Sequence, residues 1–547
     1  MKRESTVKEV MPCLGKMLLV LWVSMATANG QATHAPGAAG KFKAAVYAHA
    51  AVIPEDKTPV SRAKALKVMT ENLAVYKEQT EEAHRQGVDI LVFPEDGIYG
   101  MLFNRQTVYP YLEYMPDPNQ ETWIPCDEPD RYNNTEVQKE LSCLAKDNQL
   151  YLVANIGDKQ PCDPSTDESC PKDGRYQYNT DVAYGPDGTF LAKYHKLNLF
   201  FEDQFDFPAP QHVYFDTPFG RFGMMTCFDI IFREPAIPLL EEYNVTNFAF
   251  PTAWMDALPL LPAIGFHSSF ARAHGVNFLA ANIHLPQKRF DGSGLYAPDG
   301  ALAFHYDSVK AGEGGPKLVV AEMDVIEKST SKVRTQSTKE VGTAGISDDD
   351  SSSSAKFQSQ LFGDVYTFRT LDESSGEISV CQSKTCCQLE YTIQAENTTQ
   401  RELFAFGAFE GRHVKEGAYY MQNCALVKCR DAKNRSSCGR HVFDSSTVFT
   451  KISLRGEFQT PYVYPQLILS DSQGNLSVSE PGKWTFTGSA IETSDSFRGP
   501  VLNALLVARD YTKDKEPKTT DAGSSVATSF RLLHAVLFVS LLQYYLK

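Results

Sequence analysis

Ten of the twelve cysteines in this 547-residue chain fall into two clusters, and no other feature narrows the possible folds as far. Cys126, Cys143, Cys162 and Cys170 form the first cluster. Cys381, Cys386, Cys387, Cys424, Cys429 and Cys438 form the second. Four and six are even counts, as two separate disulfide frameworks require, although spacing alone leaves the pairing open. Disulfides persist in oxidising compartments, so the chain is expected to pass through the secretory pathway. The spacings suit no zinc site. Cys13 lies in an N-terminal leader. Cys227 stands alone, and an odd cysteine in a secreted protein is a free thiol or an intermolecular bridge.

Both ends agree with secretion. Lys2, Arg3, Lys8 and Lys16 precede an apolar run from Met17 to Val23, and Ala26-Thr27-Ala28 fits a small-x-small cleavage site. The run is far short of the roughly 20 residues of a spanning helix, so residues 1–28 read as a signal peptide. At the other end, small residues from Asp521 to Ser525 lead through a short polar spacer to an apolar tail over 532–546. That order is the signature of a GPI-attachment signal, with Asp521, Ala522 and Gly523 as candidate attachment sites. The expected location is therefore the outer face of the cell membrane. Sequons at Asn133, Asn244, Asn397, Asn434 and Asn475 are candidate glycosylation sites. A net charge of -14 argues against a nucleic-acid partner.

Between the ends the chain has two parts. From 42 to 328, apolar runs alternate with helical patterns. An amphipathic helix is expected over 61–86, with Leu66, Met69, Leu73 and Tyr76 on one face, and a second over 136–147. Strands are expected over 90–93, 150–156, 222–226, 245–250 and 277–281, with a hairpin pairing 181–184 and 189–193 around Pro186-Asp187-Gly188. This is the pattern of an α/β layered domain. Residues 329–355 have the polar composition of a linker. Short strand-like runs from 356 to 510, with six cysteines, predict a smaller, mostly β domain. Residues 511–547 are the spacer and anchor signal.

Three residues stand at strand ends. Cys227 closes the run Phe222–Thr226, where a strand-to-helix turn exposes a thiol and turns the Phe228 N–H toward an oxyanion. Glu95 follows Ile90–Phe93, a place where a carboxylate can act as general base, with Asp96 as its rival. Lys196 lies among aromatic residues, where its charge can hold an oxyanion. The adjacent His195 suggests a Cys–His pair as an alternative. Taken singly, an ordinary structural role is the better reading of Cys227 and of Glu95, and a surface lysine is the alternative for Lys196.

Taken together, the blocks Phe93-Pro94-Glu95, Tyr194-His195-Lys196 and Thr226-Cys227-Phe228-Asp229 resemble the Glu-Lys-Cys triad of the nitrilase superfamily. Pro251-Thr252-Ala253-Trp254-Met255, Asn277-Phe278-Leu279-Ala280, Gly292-Ser293-Gly294 and the segment from Tyr419-Tyr420 to Cys429 are similar to its vanin/biotinidase branch. The resemblance implies an αββα sandwich followed by a β domain, and metal-free, cofactor-free hydrolysis of C–N bonds. Cys227 would be the nucleophile, Glu95 the general base and acid, and Lys196 the oxyanion partner and proton donor. Glu202 and Phe228 would support them. The implied substrate is pantetheine, with biotin amides as the alternative. The anchor signal resembles that of vanins. A catalytically idle surface adhesion or signalling glycoprotein is the alternative from another class. The fused β domain and the glycans point to a monomer.

Overall fold

The computed structural model describes residues 40–308, 314–327, 346, 354–394 and 402–515. The signal peptide, most of the linker, Asn397 and the GPI candidates lie outside the described residues. Among the described residues, no helix is long and apolar enough to cross a membrane.

Two six-stranded sheets form the first part. The first has the order β12-β1-β2-β3-β4-β5, from β1 (Lys41–Ala48), β2 (Ile90–Val92), β3 (Tyr151–Pro161), β4 (Arg175–Tyr184), β5 (Phe190–His195) and β12 (Lys317–Asp324). The second has the order β11-β10-β9-β8-β7-β6, from β6 (Tyr214–Thr217), β7 (Gly220–Met224), β8 (Asn247–Thr252), β9 (Asn277–Asn282), β10 (Ser293–Ala297) and β11 (Gly300–His305). Each has three parallel strands at its centre and antiparallel strands outside them. The sheets pack face to face. Ala44, Val46, Ile90, Val92 and Val153 meet Phe222, Met224, Phe248, Phe250 and Phe278 in one core. The alternate residues Ala45, Tyr47, Leu91 and Leu152 face helices α1 (Arg62–Arg85) and α3 (Glu136–Asn148) through Met69, Leu73, Tyr76, Val137 and Leu141. Burial on both faces is why these strands read as continuous apolar runs.

Helix α1 begins where Ser61 caps it, its side chain accepting from the Lys64 N–H. The short α2 (Arg105–Val108) and α4 (Ala236–Glu241) lie at the periphery of the sequence pattern and were not expected from it. Several strands depart from their expected lengths. Strand β4, the first arm of the expected hairpin with β5, has ten residues instead of four, because the polar positions Gln177 and Asn179 are buried rather than looped out. Strand β8 runs through Pro251, which pairs with Ala281, to Thr252. Strand β7 stops at Met224, leaving Met225 and Thr226 to enter a turn.

The β part holds β13 (Phe357–Leu361), β14 (Asp364–Thr370), β15 (Ser375–Gln382), β16 (Thr385–Ile393), β17 (Phe404–His413), β18 (Tyr419–Lys428), β19 (Val448–Glu457), β20 (Val463–Ser470), β21 (Leu476–Val478), β22 (Trp484–Phe486), β23 (Ala490–Thr493) and β24 (Gly499–Arg509). These strands fold around a core in which Val380, Leu389 and Leu454 meet Phe406, Leu426 and Leu506. The disulfides stay within the two expected clusters: Cys126–Cys143, Cys162–Cys170, Cys381–Cys386, Cys387–Cys424 and Cys429–Cys438. Cys227 is a free, buried thiol. Of the four described sequons, Asn133, Asn244 and Asn434 are exposed and Asn475 is half-buried.

The β part is packed onto the second sheet. Helix α5 (Ala263–His274) lies between that sheet and β20, and Gly265 lets the two approach closely. A Cβ at that position would come within 2.7 Å of Ile468 Cδ1. Gln466 Nε2 donates to Leu260 O at 3.1 Å across the same boundary.

Candidate active site

The three strand-end residues converge. Glu95 follows β2, Lys196 follows β5 and Cys227 follows β7 after a two-residue link. Glu95 and Lys196 are each 2 % exposed, so water does not compete for their contacts. Lys196 Nζ donates to Glu95 Oε1 at 2.6 Å and to Glu202 Oε2 at 2.6 Å. Asn179 Nδ2, on β4, bridges the same two carboxylates, at 2.8 Å from Glu95 Oε1 and 2.6 Å from Glu202 Oε1. The Ala253 N–H, just past β8, donates to Glu95 Oε2 at 2.8 Å. Glu95 is therefore held from both sheets.

Burial opposes the charge on Lys196, but Glu202 and Glu95 outweigh it and hold the ammonium well above the ordinary lysine range. Burial raises Glu202, against the pull of Lys196. Burial, joined by the Glu95 carboxylate, also pushes the Cys227 thiol well above its ordinary value, with Lys196 acting in the opposite sense. The resting sulfur is thus a thiol, and it becomes a nucleophile only by giving its proton to a base.

Cys227 has φ 45, in the left-handed region that favours glycine. Such a strained residue persists only where its surroundings over-determine it. They do so here. It opens the 3-10 turn Cys227–Ile231. Ahead of it, Thr226 N–H donates to Asp229 Oδ2 at 3.0 Å, and Thr226 Oγ1 donates to Asp181 Oδ2 at 2.6 Å. Asp229 also accepts from Tyr194 OH at 2.7 Å, from Asn198 N–H at 2.9 Å and from Asn198 Nδ2 at 2.8 Å. The Phe228 N–H lies in the first turn, where amides have no partner within the helix.

Glu95, not Asp96, pairs with Lys196, and Glu202 joins them. Phe228 places its ring against Phe200 and Phe232, with centroids 5.0 and 5.1 Å away. The Cys–His alternative is not realised. His195 stacks on Tyr178 at 4.1 Å, and its Nε2 lies 2.8 Å from Asp158 Oδ2. Strand alternation sends the ring to the face away from the following lysine. Sequence reasoning gave no role to Asn179, Asn155, Asp181 or Asp229, although Asp229 stands in the Cys227 block. Asn155 Nδ2 donates to Asn179 Oδ1 at 2.6 Å and to Asp181 Oδ1 at 2.8 Å, joining the Glu95 and Cys227 supports into one network.

Cys227 opens into a cavity of about 980 Å³. Phe200, Phe228 and Trp254 form its apolar floor. The β part supplies the opposite wall through Phe362, Tyr419 and His441. The arrangement offers a thiol, a buried carboxylate to take its proton, an ammonium beside that carboxylate, and room for a small molecule.

The comparisons with known proteins agree on kinship. Residues 66–243 match the carbon-nitrogen hydrolase family, and residues 355–514 match the vanin C-terminal domain. The chain is 46 % identical over 498 residues to a pantetheinase of Canis lupus familiaris, covering 90 % of this chain and 93 % of the relative. It is 47 % identical over 479 residues to a pantetheinase of Mus musculus, covering 86 % and 90 %. To a biotinidase of Takifugu rubripes it is 42 % identical over 442 residues, covering 78 % and 86 %. The chain belongs to the carbon-nitrogen hydrolase family, in the group that carries the vanin C-terminal domain.

Proposed function

We propose that this chain hydrolyses the amide bond of pantetheine, releasing pantothenate and cysteamine through an acyl-thioester on Cys227. The observation that carries the chemistry is the Glu95 carboxylate. Lys196, Asn179 and the Ala253 amide pin it, out of solvent, in the site that also holds the free thiol. Glu95 takes the thiol proton as the sulfur attacks the carbonyl carbon. Lys196 and the Phe228 N–H stabilise the oxyanion. Glu95 returns its proton to the departing amine, then takes one from the water that cleaves the thioester and passes it to the departing Cys227 sulfur, which restores the thiol. Pantetheine is favoured over biotin amides because the relatives named pantetheinase match at 44–47 % identity over 86–91 % of the chain, and the biotinidases at 41–42 % over 78–79 %.

We further propose that the protein is a GPI-anchored monomer on the outer cell surface, glycosylated at the sequons. Five disulfides support an oxidising compartment. The deciding experiment assays purified protein on pantetheine and biocytin in parallel, beside Cys227→Ala. Pantetheine cleavage that vanishes in the variant is expected. Cleavage of biocytin alone would overturn the substrate, and an active Cys227→Ala the mechanism. Neither substrate being cleaved would favour the idle adhesion protein.

A further inference from the structure

A second cluster of polar side chains lies outside the catalytic cavity. His284 follows β9 by two residues, His305 ends the edge strand β11, and Asp307 stands two residues further on. Their ligand atoms all lie within 4.8 Å of one another. His284 Nε2 is 3.3 Å from Asp307 Oδ2, and His305 Nε2 is 3.4 Å from the same oxygen. These separations exceed the usual hydrogen-bond range. They match the spacing between ligands of a tetrahedral ion with bonds of about 2.0–2.1 Å, which puts neighbouring ligand atoms about 3.3–3.4 Å apart. Asp307 Oδ2 is buried and accepts no hydrogen bond.

The surroundings are built for the cluster. His284 Nδ1 lies 3.2 Å from Asp291 Oδ1, a carboxylate–imidazole pair that fixes the tautomer and leaves Nε2 with its lone pair turned to Asp307. Asp291 Oδ2 accepts from the Asp307 N–H at 2.5 Å, so one carboxylate positions two of the three groups. Gly314 passes close by, and a Cβ there would come within 1.9 Å of Asp307 Oδ2. His305 Nε2 also lies 2.8 Å from Gly315 O. An ion taking that nitrogen would displace its proton and free the carbonyl of its hydrogen bond.

We propose that His284, His305 and Asp307 bind a zinc-class divalent cation that clamps the β9–β10 loop to the segment after β11. Two imidazoles and one carboxylate suit zinc and its late first-row neighbours. Calcium and magnesium require more oxygen ligands. The clamped loop reaches the catalytic cavity. Arg289 lines that cavity, and its carbonyl accepts from the Asp256 N–H at 2.9 Å. The ion takes no part in the Glu95–Lys196–Cys227 chemistry; it fixes one wall of the cavity.

The test uses full-length protein carrying Cys227→Ala, so that the free thiol cannot bind metal. The protein is stripped with a chelator and titrated calorimetrically with zinc chloride, and metal content is measured after gel filtration. One equivalent bound with Kd below about 1 μM is expected, with a rise in Tm that magnesium does not reproduce. His305→Ala and Asp307→Asn should each abolish the equivalent, and Asp291→Asn should weaken it roughly 10–100-fold. Asp307→Asn keeps the side-chain shape and decides the matter if His305→Ala fails to fold. No stoichiometric uptake, as a plain hydrogen-bonded cluster would give, overturns the proposal, and so does uptake undiminished in Asp307→Asn.

Discussion

Asn179 gives two hydrogen bonds from a single amide nitrogen, to the two carboxylates that also share Lys196. Replacing it by Leu leaves those carboxylates facing each other with one cation between them. A hydrogen bond to a charged group is worth about 1.5–3 kcal/mol. Asn179→Leu is therefore expected to lower kcat roughly 10–100-fold with little change in KM, measured by steady-state assay on pantetheine. A larger change in KM than in kcat would mean that Asn179 acts on substrate binding instead. Asp229 works on the other side of the site. Burial pushes its carboxyl from 3.8 up to about 6, against the donors Thr226, Tyr194 and Asn198. The folded chain thus holds this proton more tightly than the unfolded chain does. The stabilisation from this group is complete below pH 3.8 and is lost as pH rises through 6, by an amount on the order of 3 kcal/mol. In Asp229→Asn, one acceptor oxygen becomes a donor, so stability should be lower throughout. Its decline between pH 4 and 6.5, followed by Tm, should also be shallower than in the parent. Parallel curves would show that Asp229 does not titrate there.

Among the elements, the disulfides differ most in what they constrain. Cys387–Cys424 joins residues 37 apart in the core of the β part, whereas Cys381–Cys386 closes 5 residues at a hairpin end. On the chain-entropy model these loops correspond to about 4 and about 2 kcal/mol. Urea denaturation of the two paired Cys→Ala variants should reproduce that order, and a reversed order would show that packing outweighs loop closure. The adjacent Cys386 and Cys387 also mark a limit of the sequence. Counting placed both in one framework, but which partner each takes depends on strand pairing that no spacing reveals. Strand β4 marks a second limit. Gln177 and Asn179 are buried, yet polar residues at alternate positions resemble a loop, so the sequence pattern marks only four of the strand's ten residues. The support for Glu95 was hidden with it. Glu95 and Cys227 were legible because each follows an apolar run that ends in a turn, Lys196 because it follows a hairpin arm among aromatic residues, and the three blocks in order resemble a known triad. Helix α1 was legible to within a residue, because its apolar face repeats over six turns and Ser61 caps its start.

At the scale of the whole molecule, the question is whether the β part is an appendage or a component of the enzyme. Arg509, at the end of β24 and 1 % exposed, reaches back to the catalytic half. Its Nε donates to Ile231 O at 2.9 Å, the last residue of the turn that Cys227 opens. Its other nitrogens reach Tyr420 O and Asp514 Oδ2, the latter at 2.8 Å, and its plane lies over the rings of Tyr419 and Tyr511. The turn that Cys227 opens is thus tied to the β part through one planar fork, a geometry that lysine cannot copy. Removing the fork by Arg509→Leu takes a donor from Ile231 O and from Tyr420 O and breaks the ion pair with Asp514, and breaking a buried ion pair costs about 3–5 kcal/mol. If the β part belongs to the enzyme, three readouts should move together in this variant. The urea midpoint should fall, kcat should drop, and Cys227 should react faster with a thiol reagent because its turn has lost its outer anchor. Arg509→Lys should fall between the variant and the parent on all three. An appendage would behave differently: Arg509→Leu would loosen the β part in a separate unfolding transition, with kcat and Cys227 labelling unchanged.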